Sequence, residues 1–197
     1  MTKSSVTAII LAAGGSTRLG RPKQLLPYRD RSLLRYVAET ARASVAKETL
    51  VVLGFEAERM NSELRGLDVR SVVNPQWEEG ISSSIRAGIS SLSASINATI
   101  LLLCDQPLIT PELLNTVMST HEISGKAIIA CEYGDTIGVP ALFARTLFVD
   151  LLQLRGDHGA KQLILQHADE RAVVPFPGGI VDIDTVADYD RFLSSGN

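Results

Sequence analysis

The sequence predicts an α/β fold: a doubly wound, mostly parallel sheet with helices on both faces, three layers in all. Three observations carry that prediction. Short runs rich in Val, Ile and Leu recur along the chain, amphipathic stretches of helical length lie between them, and within each run the apolar residues occupy successive positions. A strand of that kind is buried on both faces, and alternation with helices places it in a parallel sheet between two helical layers.

In chain order, the first strand is Val6 to Ala13, which runs into two glycines. Ser32 to Ala46 follows as the first helix. Thr49 to Gly54 and Val69 to Val73 are the next strands, with the helix Ala57 to Arg65 between them. Ile81 to Leu92 is helical after a serine-rich start, and Thr99 to Cys104 is a strand that delivers Asp105 at its carboxyl end. Pro111 to Ser124 is a helix with Thr110 as its N-cap and proline in the first turn, where a missing N–H breaks no intrahelical bond. Ala127 to Cys131 is a strand, Ala141 to Leu154 and Ala160 to Ala168 are helices, and Ala172 to Phe176 is the last strand, with a C-terminal helix beyond it. No fixed-period repeat, low-complexity tract or long Pro/Ser linker interrupts the pattern. Residues 1–197 are therefore read as a single domain, close to the usual size of roughly 150 residues.

Composition narrows the function. Apolar types make up 45% and charged types 21%, enough for a full core. The 19 basic and 22 acidic residues leave a net charge of −3, which argues against a non-specific nucleic-acid binder. The longest apolar run, Ala8 to Ala13, is far short of the ~18 residues that span a bilayer, and it ends in a glycine-rich turn rather than a cleavage site. No membrane association is expected. Cys104 and Cys131 each end a buried apolar run and are read as reduced core residues, so the chain is expected to be cytoplasmic.

The loop after the first strand is the most informative stretch. It reads Leu11-Ala12-Ala13-Gly14-Gly15-Ser16-Thr17-Arg18-Leu19-Gly20-Arg21-Pro22-Lys23. Glycines let backbone N–H groups approach a polyphosphate, and fixed cations neutralise charge that builds up when a phosphoryl group is attacked. Between Arg18 and Arg35 stand six basic residues and one acidic residue, Asp30, in a chain that is acidic as a whole. The spacing is neither the dinucleotide fingerprint nor a P-loop.

Leu11-Ala12-Ala13-Gly14 with Arg18 and Lys23 resembles the signature of nucleotidyltransferases with a Rossmann-like fold, and in particular the MobA/MocA-like branch that attaches a nucleotide to molybdopterin. The resemblance implies that Gly14 and Gly15 hold the triphosphate while Arg18 and Lys23 stabilise the transferred phosphoryl group and the departing pyrophosphate. Leu11, Ala12 and Ala13 join them as nucleotide-binding residues.

Asp105 stands alone at the end of a hydrophobic strand, where a carboxylate suits Mg²⁺ shared with phosphate oxygens. Cys104-Asp105-Gln106-Pro107 also resembles the C-D-Q-P motif of the molybdopterin cytidylyltransferases, which implies that Asp105 binds metal and that Gln106 and Pro107 meet the acceptor. After the last strand, Asp182 and Asp184 would share a face if the strand continued, and either could complete the metal site. Capping of the C-terminal helix by Asp184 or Thr185 is the competing role.

Asn74 to Arg86 combines a turn, the only tryptophan and a serine-rich helix start, and resembles a family segment beside the nucleotide. Ser82, Ser83 and Ser84 are accordingly expected to contact it, with plain helix capping as the alternative. Gly138-Val139-Pro140-Ala141-Leu142-Phe143 and Gly156-Asp157-His158-Gly159-Ala160-Lys161 resemble family blocks around the second substrate. Pro140, Asp157 and Lys161 are thus acceptor-binding candidates, against an ordinary two-glycine loop. His121 and His167 lack companions at zinc spacing, and no nucleophile elbow is present.

Together the resemblance implies a Mg²⁺-dependent transfer of CMP from CTP to the terminal phosphate of molybdopterin, with pyrophosphate released and Arg18, Lys23 and Asp105 as the catalytic residues. CTP is expected over GTP because alanine stands where guanylyl-transferring relatives show a second glycine. A molybdenum hydroxylase or its chaperone would receive the product. A GTP-using guanylyltransferase, a sugar- or alditol-phosphate nucleotidyltransferase and a non-catalytic cofactor carrier remain the alternatives.

Overall fold

The computed structural model describes residues 5–194. Nine strands are present among them: β1 (Val6–Ala12), β2 (Pro27–Tyr28), β3 (Arg31–Ser32), β4 (Glu48–Leu53), β5 (Arg70–Val73), β6 (Ala98–Leu103), β7 (Ile128–Tyr133), β8 (Thr136–Ala144) and β9 (Arg171–Pro175). The helices are α1 (Leu33–Arg42), α2 (Ala57–Glu63), α3 (Ile81–Ser90), α4 (Pro111–Ser124), α5 (Phe148–Gln153), α6 (Ala160–Gln166) and α7 (Val186–Ser194). β2 and β3 form a small hairpin of their own, and the other seven strands form one sheet in the order β5-β4-β1-β6-β8-β7-β9.

Burial on both faces follows directly from the β1 sequence. Ala8, Ile10 and Ala12 join the apolar cluster that contains Leu34, Val37 and Ala38 of α1 and Leu114 and Val117 of α4. Ile9, Leu11 and Ala13 join the opposite cluster, with Ile85 and Ile89 of α3, Leu151 of α5 and Leu163 of α6. Side chains alternate across a strand, so one unbroken apolar run supplies both layers. A third cluster, Leu19, Leu26, Tyr28, Leu33, Ile183, Tyr189 and Phe192, ties the loop after β1 to α7. Tyr189 reinforces it by donating its hydroxyl to Pro27 O at 2.5 Å.

One element departs from the sequence reading. Ala141 to Leu154 is not a single helix: β8 runs to Ala144, a 3₁₀ turn covers Arg145–Leu147, and only Phe148–Gln153 is α-helical. Ala141, Leu142 and Phe143 are fully buried. Such an apolar run has no periodicity that separates strand from helix. Partners decide it: β8 pairs antiparallel with β6 on one side and with β7 on the other. The β2–β3 hairpin was likewise not legible; Arg29 and Asp30 take left-handed backbone at its tip, with φ of 47° and 63°.

β1, β4 and β6 are parallel and nearly level at their carboxyl ends, with Ala12 opposite Leu53 and Leu11 opposite Leu103. The residues that follow, Ala13-Gly14, Gly54 and Cys104-Asp105, therefore emerge on one rim, where ligands bind in open α/β sheets. Cys104 and Cys131 are free and buried, their thiols pushed up to about 12 by burial. Among the described residues no helix is long and apolar enough to cross a membrane.

Candidate active site

A cavity of about 430 Å³ opens at that rim. Its wall includes Leu11, Ala12, Ala13, Gly14, Gly15, Arg18, Lys23, Ser84, Asp105, Asp157 and Asp184 from the expected set. Trp77, Gln24, Glu78 and Ile81 complete much of the rest.

The loop owes its shape to local bonds. Ser16 and Gly20 both take left-handed backbone, at φ 52° and 72°, and bracket a 3₁₀ turn over Thr17–Leu19. Lys23 N donates to Ser16 Oγ at 3.1 Å, which closes the loop. The buried Gln24 then fixes its start, its amide nitrogen donating to Ala12 O at 2.9 Å and to Gly14 O at 2.7 Å. A Cβ on Gly14 would meet nothing within 4 Å, so the bare backbone faces open space. Gly15 is covered by Trp77 and Phe55, which lie 3.4 and 3.5 Å from where its Cβ would be.

Charge converges at one end. Asp105 is 6% exposed, and the Lys23 ammonium pairs with its Oδ2 and with Asp184 Oδ1 at 3.0 Å. Arg18, exposed at the rim, pairs with Asp184 Oδ2 at 2.7 Å. Burial works against the Lys23 charge, but the Asp105 carboxylate outweighs it with the help of Asp184 and holds the pKa above the ordinary lysine range. Oxygens of Asp105, Asp182 and Asp184 lie within 4.8 Å of one another. Asp182 is exposed on its outer side, yet partial burial of its carboxyl, with the Asp105 charge beside it, pushes its pKa up to about 7. Asp105 Oδ1 is buried with no hydrogen-bond donor. Three close carboxylates with an orphaned oxygen fit a hard divalent cation, which prefers oxygen ligands and would discharge their mutual repulsion.

Asp182 and Asp184 do not continue a strand; they lie in coil after the 3₁₀ turn Pro177–Ile180, and both still reach Asp105. Thr185 takes the capping role. Its N–H and hydroxyl donate to Asp188 Oδ2 at 2.9 and 2.7 Å, and Asp188 N donates back to Thr185 Oγ1 at 3.2 Å. That reciprocal box caps α7 and leaves Asp184 to the cations.

The serines divide. Ser82 Oγ donates to His158 O at 2.6 Å and Ser83 Oγ to Gly80 O at 2.8 Å, while the buried Asn74 amide donates to Ser83 Oγ at 2.8 Å and Ser84 Oγ at 3.1 Å. Of the three, Ser84 lines the cavity. Asp157 reaches the wall because Gly80 opposite has no side chain; a Cβ there would sit 2.3 Å from Asp157 Oδ1. Lys161 turns away and donates its ammonium to Thr136 Oγ1. Gln106, Pro107 and Pro140 are buried and do not line the cavity, and Gln106 Nε2 donates to Val139 O at 3.2 Å.

Residues 8–171 match the MobA-like NTP transferase domain. The chain belongs to that family. The Rv0371c protein of Mycobacterium tuberculosis H37Rv superposes with a TM-score of 0.86 at 32% identity, covering 98% of this chain and all of that one. Its complex with manganese gives 0.80 at 30% identity, covering 97% of this chain and 99% of that one. Nicotine blue oxidoreductase of Paenarthrobacter nicotinovorans is 37% identical over 117 residues, 59% of this chain and 57% of that protein. The bifunctional protein GlmU of Sorangium cellulosum is 32% identical over 133 residues, 64% of this chain and 28% of its own length. The chain thus matches little more than half of one curated relative and under a third of the other. Gln24, Trp77, Glu78 and Ile81 line the cavity, and the sequence reading gave none of them an individual role. Trp77 was visible as the sole tryptophan, whereas a glutamine bonded to two carbonyls leaves no periodic signal.

Proposed function

We propose that the protein transfers CMP from CTP to the terminal phosphate of molybdopterin. The observation that carries this reading is the make-up of one cavity: the glycine loop, Arg18, Lys23, Asp105 and Asp184 line it together with Leu11, Ala13, Trp77 and Ile81, four side chains of one core layer. The charged groups suit a triphosphate and the apolar side chains a base. An oxygen of the acceptor phosphate attacks the α-phosphorus in line; the new P–O bond forms as the bond to the β-phosphate bridging oxygen breaks, and pyrophosphate leaves. A phosphate monoester is already largely ionised near neutral pH, its second pKa being about 6, so no strong general base is needed. Catalysis rests on alignment and charge neutralisation.

Lys23, held by Asp105 and Asp184, presents its ammonium to the transferred group, and Arg18 reaches the leaving phosphates from the rim. Gly14 and Gly15 offer backbone N–H groups. Asp105, Asp182 and Asp184 would hold Mg²⁺, which supplies neutralisation of phosphate charge. The manganese complex of Rv0371c supports a divalent ion in this family. Ser84 and Trp77 border the nucleotide, and Ser82 and Ser83 serve it indirectly by fixing the start of α3. Asp157 borders the acceptor, and Gln106, Pro107 and Pro140 shape the loop that meets it from outside the cavity wall, whereas Lys161 joins only if its bond to Thr136 breaks. The protein would act in the cytoplasm and pass its product to a molybdenum hydroxylase or that enzyme's chaperone.

The deciding experiment is mass spectrometry of the product formed from molybdopterin with each of the four triphosphates. CTP should give the cytosine dinucleotide; a product formed with GTP alone, or none with any triphosphate, overturns the reading. A second reading, oxidation–reduction, draws on the likeness to nicotine blue oxidoreductase. Turnover of nicotine blue with an added reductant by the same preparation would favour it.

A further inference from the structure

Tyr133 ends β7, and three glycines are shaped to the rings around it. A Cβ on Gly138 would lie 2.5 Å from the Tyr133 hydroxyl, and one on Gly179 would lie 2.4 Å from the Tyr133 ring. One on Gly178 would meet Phe176 and Leu108, both at 3.0 Å. None of these glycines takes left-handed backbone. The chain path does not demand glycine there; the close approach of the rings does. Phe176 completes the seat, its ring edge-on to Tyr133 with centroids 6.2 Å apart.

Gly178 and Gly179 belong to the turn Pro177–Ile180, which runs straight into Asp182 and Asp184. The segment is pinned at both ends. Phe176 N donates to Glu132 O, the residue before Tyr133, at 2.8 Å, and Ile183 N donates to Asp105 O at 3.4 Å. Ile183 itself is buried between the two aspartates. Two of the three carboxylates thus ride on a turn whose seat is an aromatic ring outside the cavity wall.

We propose that Tyr133 is a positioning residue for the divalent cation: its ring seats the turn Pro177–Ile180 and so sets where Asp182 and Asp184 stand relative to Asp105. The inference rests on the metal reading above. The ring face toward Gly179 does this work, while the hydroxyl lies against Gly138.

Mn²⁺ titration of the whole protein, followed by the electron paramagnetic resonance of the free ion, tests it without any turnover. Tyr133→Leu and Gly179→Ala should each weaken Mn²⁺ binding by about tenfold or more, the scale expected for groups that orient ligands, and Tyr133→Phe should bind as the unchanged protein does. Asp105→Asn serves as the reference for a lost ligand. If the unchanged protein binds Mn²⁺ and both Tyr133→Leu and Gly179→Ala bind it equally well, the inference is overturned and the metal reading stands. If Tyr133→Phe loses as much affinity as Tyr133→Leu, the hydroxyl rather than the seat is responsible and the inference is again overturned. No Mn²⁺ uptake by the unchanged protein removes the metal reading and this inference together. Should Gly179→Ala fail to fold, Tyr133→Leu decides alone, because a smaller side chain introduces no collision.

Discussion

Lys23 and Arg18 touch the same aspartate from different surroundings, and their contributions should differ accordingly. Lys23→Ala removes a largely buried ammonium and leaves Asp105 and Asp184 facing each other, whereas Arg18 is 72% exposed in its side chain. Each change should lower kcat by about 10²- to 10³-fold, the loss typical of a preorganised donor, with Lys23 the larger. A change in KM alone would show that these cations bind the ground state only. Asp105→Asn should abolish transfer and leave the thermal melt cooperative. Asp182 sets a pH dependence. Its carboxyl is raised from 3.8 to about 7, so the folded protein holds that proton through mildly acidic pH and a cation must displace it. Mn²⁺ affinity should therefore rise with pH up to about 7 and level off above, and Asp182→Asn should flatten the profile. For folding the sign is opposite: the raised carboxyl favours the folded state at low pH, and that contribution is lost as pH climbs toward about 7.

At the scale of elements, α7 and the loop after β1 form one unit. Thr185 caps α7, Tyr189 bonds Pro27 O, and Phe192 packs against Tyr28 with ring centroids 5.0 Å apart. Loss of the cap in Thr185→Ala should lower stability by about 1 kcal/mol in urea denaturation. Because Asp184 precedes the cap, Mn²⁺ affinity should fall as well; stability loss with unchanged Mn²⁺ affinity would separate the cap from the site. Most elements were legible because their periodicity was local. Thr110 bonds Leu113 N at 3.2 Å as the cap of α4, in keeping with its place before Pro111. β8 was not legible, since Ala141 to Phe143 carry no period and only their pairing with β6 and β7 makes them a strand.

For the molecule as a whole, the cavity lining bears on which base fits. Ala12 and Ala13 both line the cavity, but their methyl groups belong to opposite layers of the core. Ala13 lies on the side of Trp77 and Ile81, so Ala13→Gly is the change expected to admit a purine more readily. A methyl group is worth about 1 to 3 kcal/mol, so kcat/KM should favour CTP over GTP by roughly 10- to 200-fold and fall toward parity in Ala13→Gly. A ratio at or below one in the unchanged protein contradicts the choice of CTP. Trp77, the only tryptophan, gives the binding readout, and its fluorescence should change on addition of CTP.

The sequence by itself determined the layered sheet, the cationic glycine loop and the carboxylate at the end of β6, because each is written in consecutive residues. A run buried on both faces, a loop with Gly14, Arg18 and Lys23 at fixed spacing, and an aspartate at a strand end need no distant partner to be recognised. Only the tertiary structure decided what those groups meet. Asp184 faces Lys23 across 161 positions of chain, Gln24 and Trp77 enter the site by packing, and Ser82, Ser83 and Lys161 are drawn into other bonds. Such outcomes depend on which hydrogen-bond partners the folded chain brings within about 3 Å, and strand order and packing set that where local periodicity does not.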